Sequence, residues 1–156
     1  MRILLVAVGR CREASIRDGV DDYARRLSHY ASVKQVEVKA ERARKGFPTG
    51  EILAREGRRL LQAIPDNAYT VALDREGESC GSEELSRKLA RLGVGGKSRI
   101  AFVIGGAFGL GRSVIERADW RLSLSRMTFP HEMARLILVE QVYRALTIIR
   151  GEEYHK

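Results

Sequence analysis

Apolar and polar positions along this chain alternate between two patterns. Ile3–Val8 and Ile100–Ile104 are unbroken apolar runs, the mark of strands buried on both faces of a parallel sheet. Tyr69–Leu73 and Trp120–Leu124 read as two further strands. Val33–Val38, mixed but β-branched, reads as a more exposed one. Between these runs the apolar period becomes that of a helix. Ile16, Val20, Tyr23, Ala24 and Leu27 share one face of a helix that Ser15 can cap and that reaches about Tyr30. Thr49 caps the next, with Ile52, Leu53, Glu56, Leu60, Leu61 and Ile64 following until Pro65-Asp66 stops it. Ser82–Leu92 and Ser113–Ala118 are shorter helices, with a turn expected at Gly77–Gly81. The last helix runs from about His131 to Ile149, with Pro130 in its first turn and Gly151–Lys156 as a polar tail. Strands alternating with helices predict an α/β fold of one domain, residues 1–156. The ends of the third, fourth and fifth strands then converge on one edge.

The most informative stretch is Ser98–Ser113, SRIAFVIGGAFGLGRS, a buried strand running into Gly105, Gly106, Gly109 and Gly111. Strand ends followed by glycine loops are where open α/β sheets bind ligands, because bare backbone lets a ligand approach closely. The plain alternative is a tight strand-to-helix turn without a ligand. Gly106–Ser113 nearly spells a P-loop, but Arg112 stands where the phosphate-binding Lys belongs, and Asp74 as a magnesium ligand lies upstream. Gly109–Val114 fits a dinucleotide fingerprint less well, since the third glycine is missing. A nucleoside-type cofactor held by backbone groups of several loops, without a phosphate grip, fits best.

Composition sharpens this. At 156 residues the chain can bury about two-thirds of its unfolded surface. A net charge of +8, from 28 Lys+Arg against 20 Asp+Glu, exceeds what solubility needs and points to a polyanionic partner. Lys39–Gly50 concentrates Arg42, Arg44 and Lys45 among turn residues; it reads either as a solvated connection or as a basic arm that meets phosphates. Cys11 and Cys80 form no metal-ligand spacing and read as free thiols in a reducing compartment. Met1–Gly9 lacks a cleavage site and no run reaches membrane-spanning length, so the expectation is a cytoplasmic protein without metal or membrane attachment.

Candidates for acid–base chemistry are few. His131 opens a helix beside the glycine loop, and a helix N-terminus favours its neutral, proton-accepting form. His29 ends an amphipathic helix and reads as a surface residue. Glu140 and Arg144 are four residues apart, an i,i+4 pair that can be purely structural. Tyr154 and His155 lie in a tail whose position alone suggests fraying.

Four segments together resemble the RlmH family, small SPOUT-superfamily methyltransferases that modify large-subunit ribosomal RNA. These are LVAVGR at the start, IGGAFGLG, LSLSRMTFPHEMARLILVEQVYRA and the final EYHK. The resemblance covers essentially the whole length and is most specific in the last third. It implies a mainly parallel α/β sheet flanked by helices and tied in a deep C-terminal trefoil knot, which residue patterns would never suggest. It also implies S-adenosylmethionine as cofactor, held by Leu73, Gly105, Leu124, Ser125, Arg126, Met127, Thr128 and Phe129. The reaction implied is methyl transfer to N3 of a pseudouridine on the assembled ribosome, by a homodimer in which one subunit's tail helps form the other's RNA site. His131 is then the candidate base, Tyr154 its alternative, and Arg144 a stabiliser of negative charge. The competing expectation is a non-catalytic RNA- or ribosome-binding factor on the same scaffold; a P-loop hydrolase is more distant. Ala107-Phe108 and Arg126 differ from the family's usual versions.

Overall fold

The computed structural model of the chain describes residues 1–155; Lys156, the end of the expected tail, lies outside the described residues. Five strands, β1 (Arg2–Val8), β2 (Ser32–Val38), β3 (Tyr69–Ser79), β4 (Arg99–Ile104) and β5 (Trp120–Ser123), form one sheet in the order β2-β1-β4-β3-β5. Every neighbouring pair is parallel. Five helices connect and cover it: α1 (Ala14–Leu27), α2 (Thr49–Ala63), α3 (Ser82–Val94), α4 (Arg112–Arg117) and α5 (His131–Arg150).

The apolar runs of β1 and β4 serve two cores at once. Ile3, Leu5, Ala7, Ile100, Phe102 and Ile104 face α1, α3 and α5, whose Leu27, Leu89, Leu138 and Val142 are fully buried against them. Their alternate partners Leu4, Val6, Val8, Ala101 and Val103 face α2 and α4 through Leu60, Ile64 and Val114. A side-chain period of two thus feeds both layers, which is why neither run contains a polar residue. The edge strand β2 is half exposed, as its mixed composition predicts.

Several boundaries differ from the sequence expectations. α1 begins at Ala14 with Glu13 in the cap position and ends at Leu27 rather than Tyr30. Glu132 of α5 accepts the Arg12 and Glu13 backbone N–H groups, so the chain is drawn into the helix ahead of Ser15, whose hydroxyl turns to Glu13 instead. Thr49 and Pro130 trade expected places: Thr49 is the first helical residue behind Pro48, and Pro130 is the extended cap residue of α5. The largest difference is β3. It does not stop at Leu73 but runs to Ser79, with Leu73 and Glu78 both opposite Leu122 of β5. The four residues between them, Asp74–Gly77, bulge out of the ladder, and the expected turn at Gly77–Gly81 shrinks to its last two residues.

Candidate functional site

The bulge and the glycine loop leave the sheet side by side, because β3 and β4 are parallel neighbours. Asp74 is fixed by Arg121, which donates from Nε and Nη2 at 2.8 and 2.6 Å, and by the Glu76 N–H at 3.1 Å. The metal-ligand role weighed for Asp74 in a P-loop is therefore already occupied by a guanidinium. Beyond β4, Gly109 turns back so that its N–H donates to the Gly106 carbonyl at 3.1 Å. The Gly109 backbone then lies where any Cβ at Gly105 would be, so position 105 admits no side chain. Arg112 does not face this loop as a P-loop Lys would; its side chain is 90% exposed and paired with Glu116 at 2.6 Å. Both observations go against the P-loop alternative and leave the nucleoside-type cofactor expected from the sequence.

The segment between β5 and α5 closes the third side. Ser123 donates its hydroxyl to the Ser125 carbonyl, and Ser125 Oγ accepts the Met127 N–H, which coils residues 124–129 against the bulge. Arg75 reaches across to Thr128 Oγ1 at 3.4 Å. A cavity of about 570 Å³ lies between the three loops. Leu73, Gly105, Leu124, Ser125, Met127, Thr128 and Phe129 all line it, as does His131. Arg126, the eighth cofactor residue expected from the resemblance, is not among the lining residues; it is exposed beside them. Sequence reasoning missed Arg75 and the depth contributed by Ile104 and Ala134. The bulge that brings Arg75 there has no periodic signature.

This cavity suits a nucleoside. Its size is that of a small-molecule site, and its walls combine aliphatic side chains with loop backbone and only one cation, Arg75. A triphosphate would need several. His131 opens α5 at the cavity wall; among the described residues its imidazole has no hydrogen-bond partner, and the carboxylates of Glu132 and Glu56 are its electrostatic neighbours.

Arg144 and Tyr154 occupy a different place, about 20 Å further along the α5 axis by helix rise. Gly151 adopts φ +70° and lets Glu152 N–H close back onto the Thr147 carbonyl, which reverses the chain against α5. Tyr154 then stacks edge-on against Tyr143, with centroids 4.8 Å apart, and lies under the Arg144 guanidinium at 4.6 Å. Glu140 Oε1 accepts from Arg144 Nε and Nη2 and from the Tyr154 hydroxyl, which also meets the Tyr23 hydroxyl at 3.1 Å. The expected Glu140–Arg144 pair is therefore present, within a larger cluster. Burial, together with the hydrogen bonds to Tyr23 and Glu140, pushes the Tyr154 phenol well above its ordinary pKa. Within one chain Tyr154 is a hydrogen-bond donor held neutral. His155 approaches Glu83 at 3.7 Å, and Tyr30 donates to Glu152, which with burial pushes its phenol up to about 12.

Behind the cavity, α5 is pinned to the β1 end. Glu132 accepts from the Cys11 thiol and two backbone N–H groups; burial opposes ionisation, but these donors hold its carboxyl below the usual range. Buried Arg135 donates to Glu37 at 2.6 Å and to the Gly9 carbonyl at 2.9 Å. Cys11 is correspondingly inert: burial and the Glu132 contact push its thiol up to about 11. We expect it to resist iodoacetamide at pH 8 in the native protein and to react at the ordinary rate once unfolded; fast native labelling mapped to Cys11 would contradict its burial.

Glu56 is the odd residue in the apolar stripe of α2. Oε1 accepts the Glu41 N–H at 2.9 Å, while Oε2 is buried without a partner against Gly106 of the glycine loop. Burial raises its pKa. A raised folded-state pKa means the folded state holds the proton more tightly, so this contribution to stability is complete at low pH and fades as pH rises through the folded pKa. Glu56→Gln keeps the Glu41 bond and removes the charge. It should raise Tm at pH 8 by roughly 2–5 °C and give no gain near pH 4; an equal gain at both pH values would disprove the buried-charge cost.

The chain is similar to known proteins. A family model described as "Predicted SPOUT methyltransferase" matches residues 1–155. The chain belongs to the SPOUT methyltransferase family, and is an enzyme of the class that uses S-adenosylmethionine as methyl donor. Among curated relatives it is 48% identical to the ribosomal RNA large subunit methyltransferase H of Moorella thermoacetica, over 100% of this chain and 99% of that one. It is 44% identical to the protein of the same name from Clostridium kluyveri, over the whole of both. A probable methyltransferase from Bordetella pertussis shares the fold at TM-score 0.58 and 18% identity, over 93% of this chain and 96% of that one. Among the described residues no helix is long and apolar enough to cross a membrane, and no three His, Cys, Asp or Glu side chains cluster as a metal centre would.

Proposed function

We propose that this enzyme methylates N3 of a pseudouridine in large-subunit ribosomal RNA, on the assembled ribosome, in the cytoplasm. The observation that carries the reading is the nucleoside-sized cavity with a histidine on its wall that has no hydrogen bond among the described residues, in a chain whose relatives at 44–48% identity are named for ribosomal RNA large-subunit methylation. S-adenosylmethionine supplies an electrophilic sulfonium methyl. Gly105 and the 124–129 backbone would hold it, with Leu73, Leu124, Met127 and Phe129 as apolar walls. The imide N3–H of the target must give up its proton for the nitrogen lone pair to attack that methyl carbon as the carbon–sulfur bond breaks. The His131 imidazole accepts the proton and shields the nascent anion from water as part of the wall. Apart from Asp74 and Arg75 the walls carry no fixed charge, which limits the water that competes at the reacting atoms.

The working unit in this reading is a homodimer of single-domain subunits, each tied in the C-terminal knot. The knot is supported by the course of residues 124–130, which return from edge strand β5 past the bulge and the glycine loop before α5 packs on α1 and α3. The dimer is supported by exposed Phe108 and Met127 near the cavity and by the remoteness of Arg144 and Tyr154 from their own cavity. A second copy would bring its tail to this one, where Arg144 stabilises developing negative charge. Mixing His131→Ala with Tyr154→Phe subunits tests this. Heterodimers with shared sites should recover about half the wild-type rate at one intact site per dimer; no recovery would place both residues in one subunit's site.

The direct test is methyl transfer from labelled S-adenosylmethionine to unmodified ribosomes and, separately, to their free RNA, with the labelled nucleotide mapped. Label at N3 of one pseudouridine, on ribosomes only, is the expected result. Ribosome binding without any transfer would instead favour a binding factor.

A further inference from the structure

The sheet edge that carries the cavity also carries a concentration of unpaired cations. β1 and β2 run parallel to β4, with Ala7 opposite Ile104 and Val8 opposite Val38, so all three strands end on the same side. The segments that follow β1 and β2 therefore lie beside the glycine loop. They hold exposed Arg10, Arg12, Lys39, Arg42, Arg44 and Lys45. Among the described residues none of these six side chains forms a salt bridge, though Lys39 helps to lower the Glu41 carboxyl; arginines elsewhere, such as Arg25, Arg112 and Arg121, are paired. The acids nearby are already engaged: Glu41 by Arg59 and Arg55, and Glu37 by Arg135.

This face also has shape. Lys39, Arg42, Arg44 and Arg55 surround a hollow of about 330 Å³ whose wall includes Phe47, with the Arg55 guanidinium stacked 5.1 Å from the ring centre. The basic segment is tied to the cavity rather than hanging free. Glu56 takes the Glu41 N–H on one carboxylate oxygen and sets the other against Gly106. A Cβ on Gly9 would lie 3.6 Å from the Ala40 side chain, so the two basic segments run close together.

We propose that this face is the RNA-docking surface of the enzyme, with Arg42, Arg44 and Lys45 contacting phosphates while the target nucleotide enters the neighbouring cavity. The proposal rests on the RNA-methylating function inferred above. Guanidinium groups without acidic partners offer paired N–H donors to phosphate at no cost in broken ion pairs. Such contacts fix the position and orientation of the RNA without reading its bases. The cavity itself is lined by a single cation, Arg75, so most of the binding strength lies on the basic face and the chemistry in the cavity beside it.

The test compares wild type with Arg42→Gln/Arg44→Gln/Lys45→Gln in binding to unmodified large ribosomal subunits across a salt series. The variant should bind about 10–100-fold more weakly at low salt, and the slope of log affinity against log salt should fall by about 2–3. Its melting temperature and affinity for S-adenosylmethionine should be unchanged, which separates lost contacts from lost fold. A wild-type slope and affinity in the variant would overturn the proposal. A variant that loses binding to polyglutamate while keeping the ribosome slope would also overturn it, in favour of an acidic protein partner. Failure of the wild type to transfer methyl to ribosomal RNA would overturn the functional reading separately, since the slope is read from binding alone.

Discussion

Replacing His131 with alanine is expected to lower the single-turnover methylation rate by about 10²–10⁴-fold at neutral pH. An imide nitrogen is a poor nucleophile until its proton leaves, and His131 is the imidazole on the cavity wall. Its freedom from internal hydrogen bonds matters as much as its place. A ring already accepting a bond would have to break it before taking the substrate proton. Two features separate lost base catalysis from lost fit. His131→Gln preserves most of the shape and one hydrogen bond but cannot take a proton, so it should be nearly as slow as alanine. Both variants should lose the pH-independent plateau, their rates climbing with hydroxide as the imide ionises unaided. Wild-type single-turnover speed in His131→Ala across neutral pH would remove the histidine from the mechanism, and methyl transfer would then depend on groups brought by a second subunit.

The elements that the chain declares most clearly are those whose environment is uniform along their length. β1 and β4 are apolar at every core position because both faces are covered, and α1 shows its buried stripe at Val20, Ala24 and Leu27. The convergence of three strand ends on one edge also follows from the alternation of elements, and the structure places seven of the eight expected cofactor residues around the cavity there. What escapes is set by long-range partners. Asp74–Gly77 leave the sheet because Glu78 re-pairs with a residue that Leu73 has already met, a register choice made by β5. α1 starts where Glu132, far along the chain, seizes its leading N–H groups. Tyr154 looks like a frayed end until Gly151 folds it onto Tyr143 and Glu140. The proposed knot would belong with these: threading leaves no trace in local periodicity, and the resemblance alone raised it.

Alanine at Gly105 is expected to weaken S-adenosylmethionine binding by at least about 100-fold and to lower Tm by roughly 5–12 °C. The reason is crowding rather than conformational freedom. The new Cβ would overlap the Gly109 carbonyl, and both partners are backbone, so no flexible side chain can swing aside. Relief requires the 105–109 turn to open, which breaks the Gly109 to Gly106 hydrogen bond and shifts the cavity wall. Gly109→Ala is the internal control. Position 109 has φ +82° but nothing within 4 Å of the added carbon, so its cost is only the left-handed strain of about 1–2 kcal/mol. It should melt a few degrees lower and still bind cofactor within about tenfold of wild type, because the turn keeps its shape. Calorimetric titration of both variants therefore measures what the glycines are for. A Gly105→Ala protein that binds S-adenosylmethionine as well as Gly109→Ala does would mean the loop is a passive turn, and the cofactor would then rest on the 124–129 segment alone.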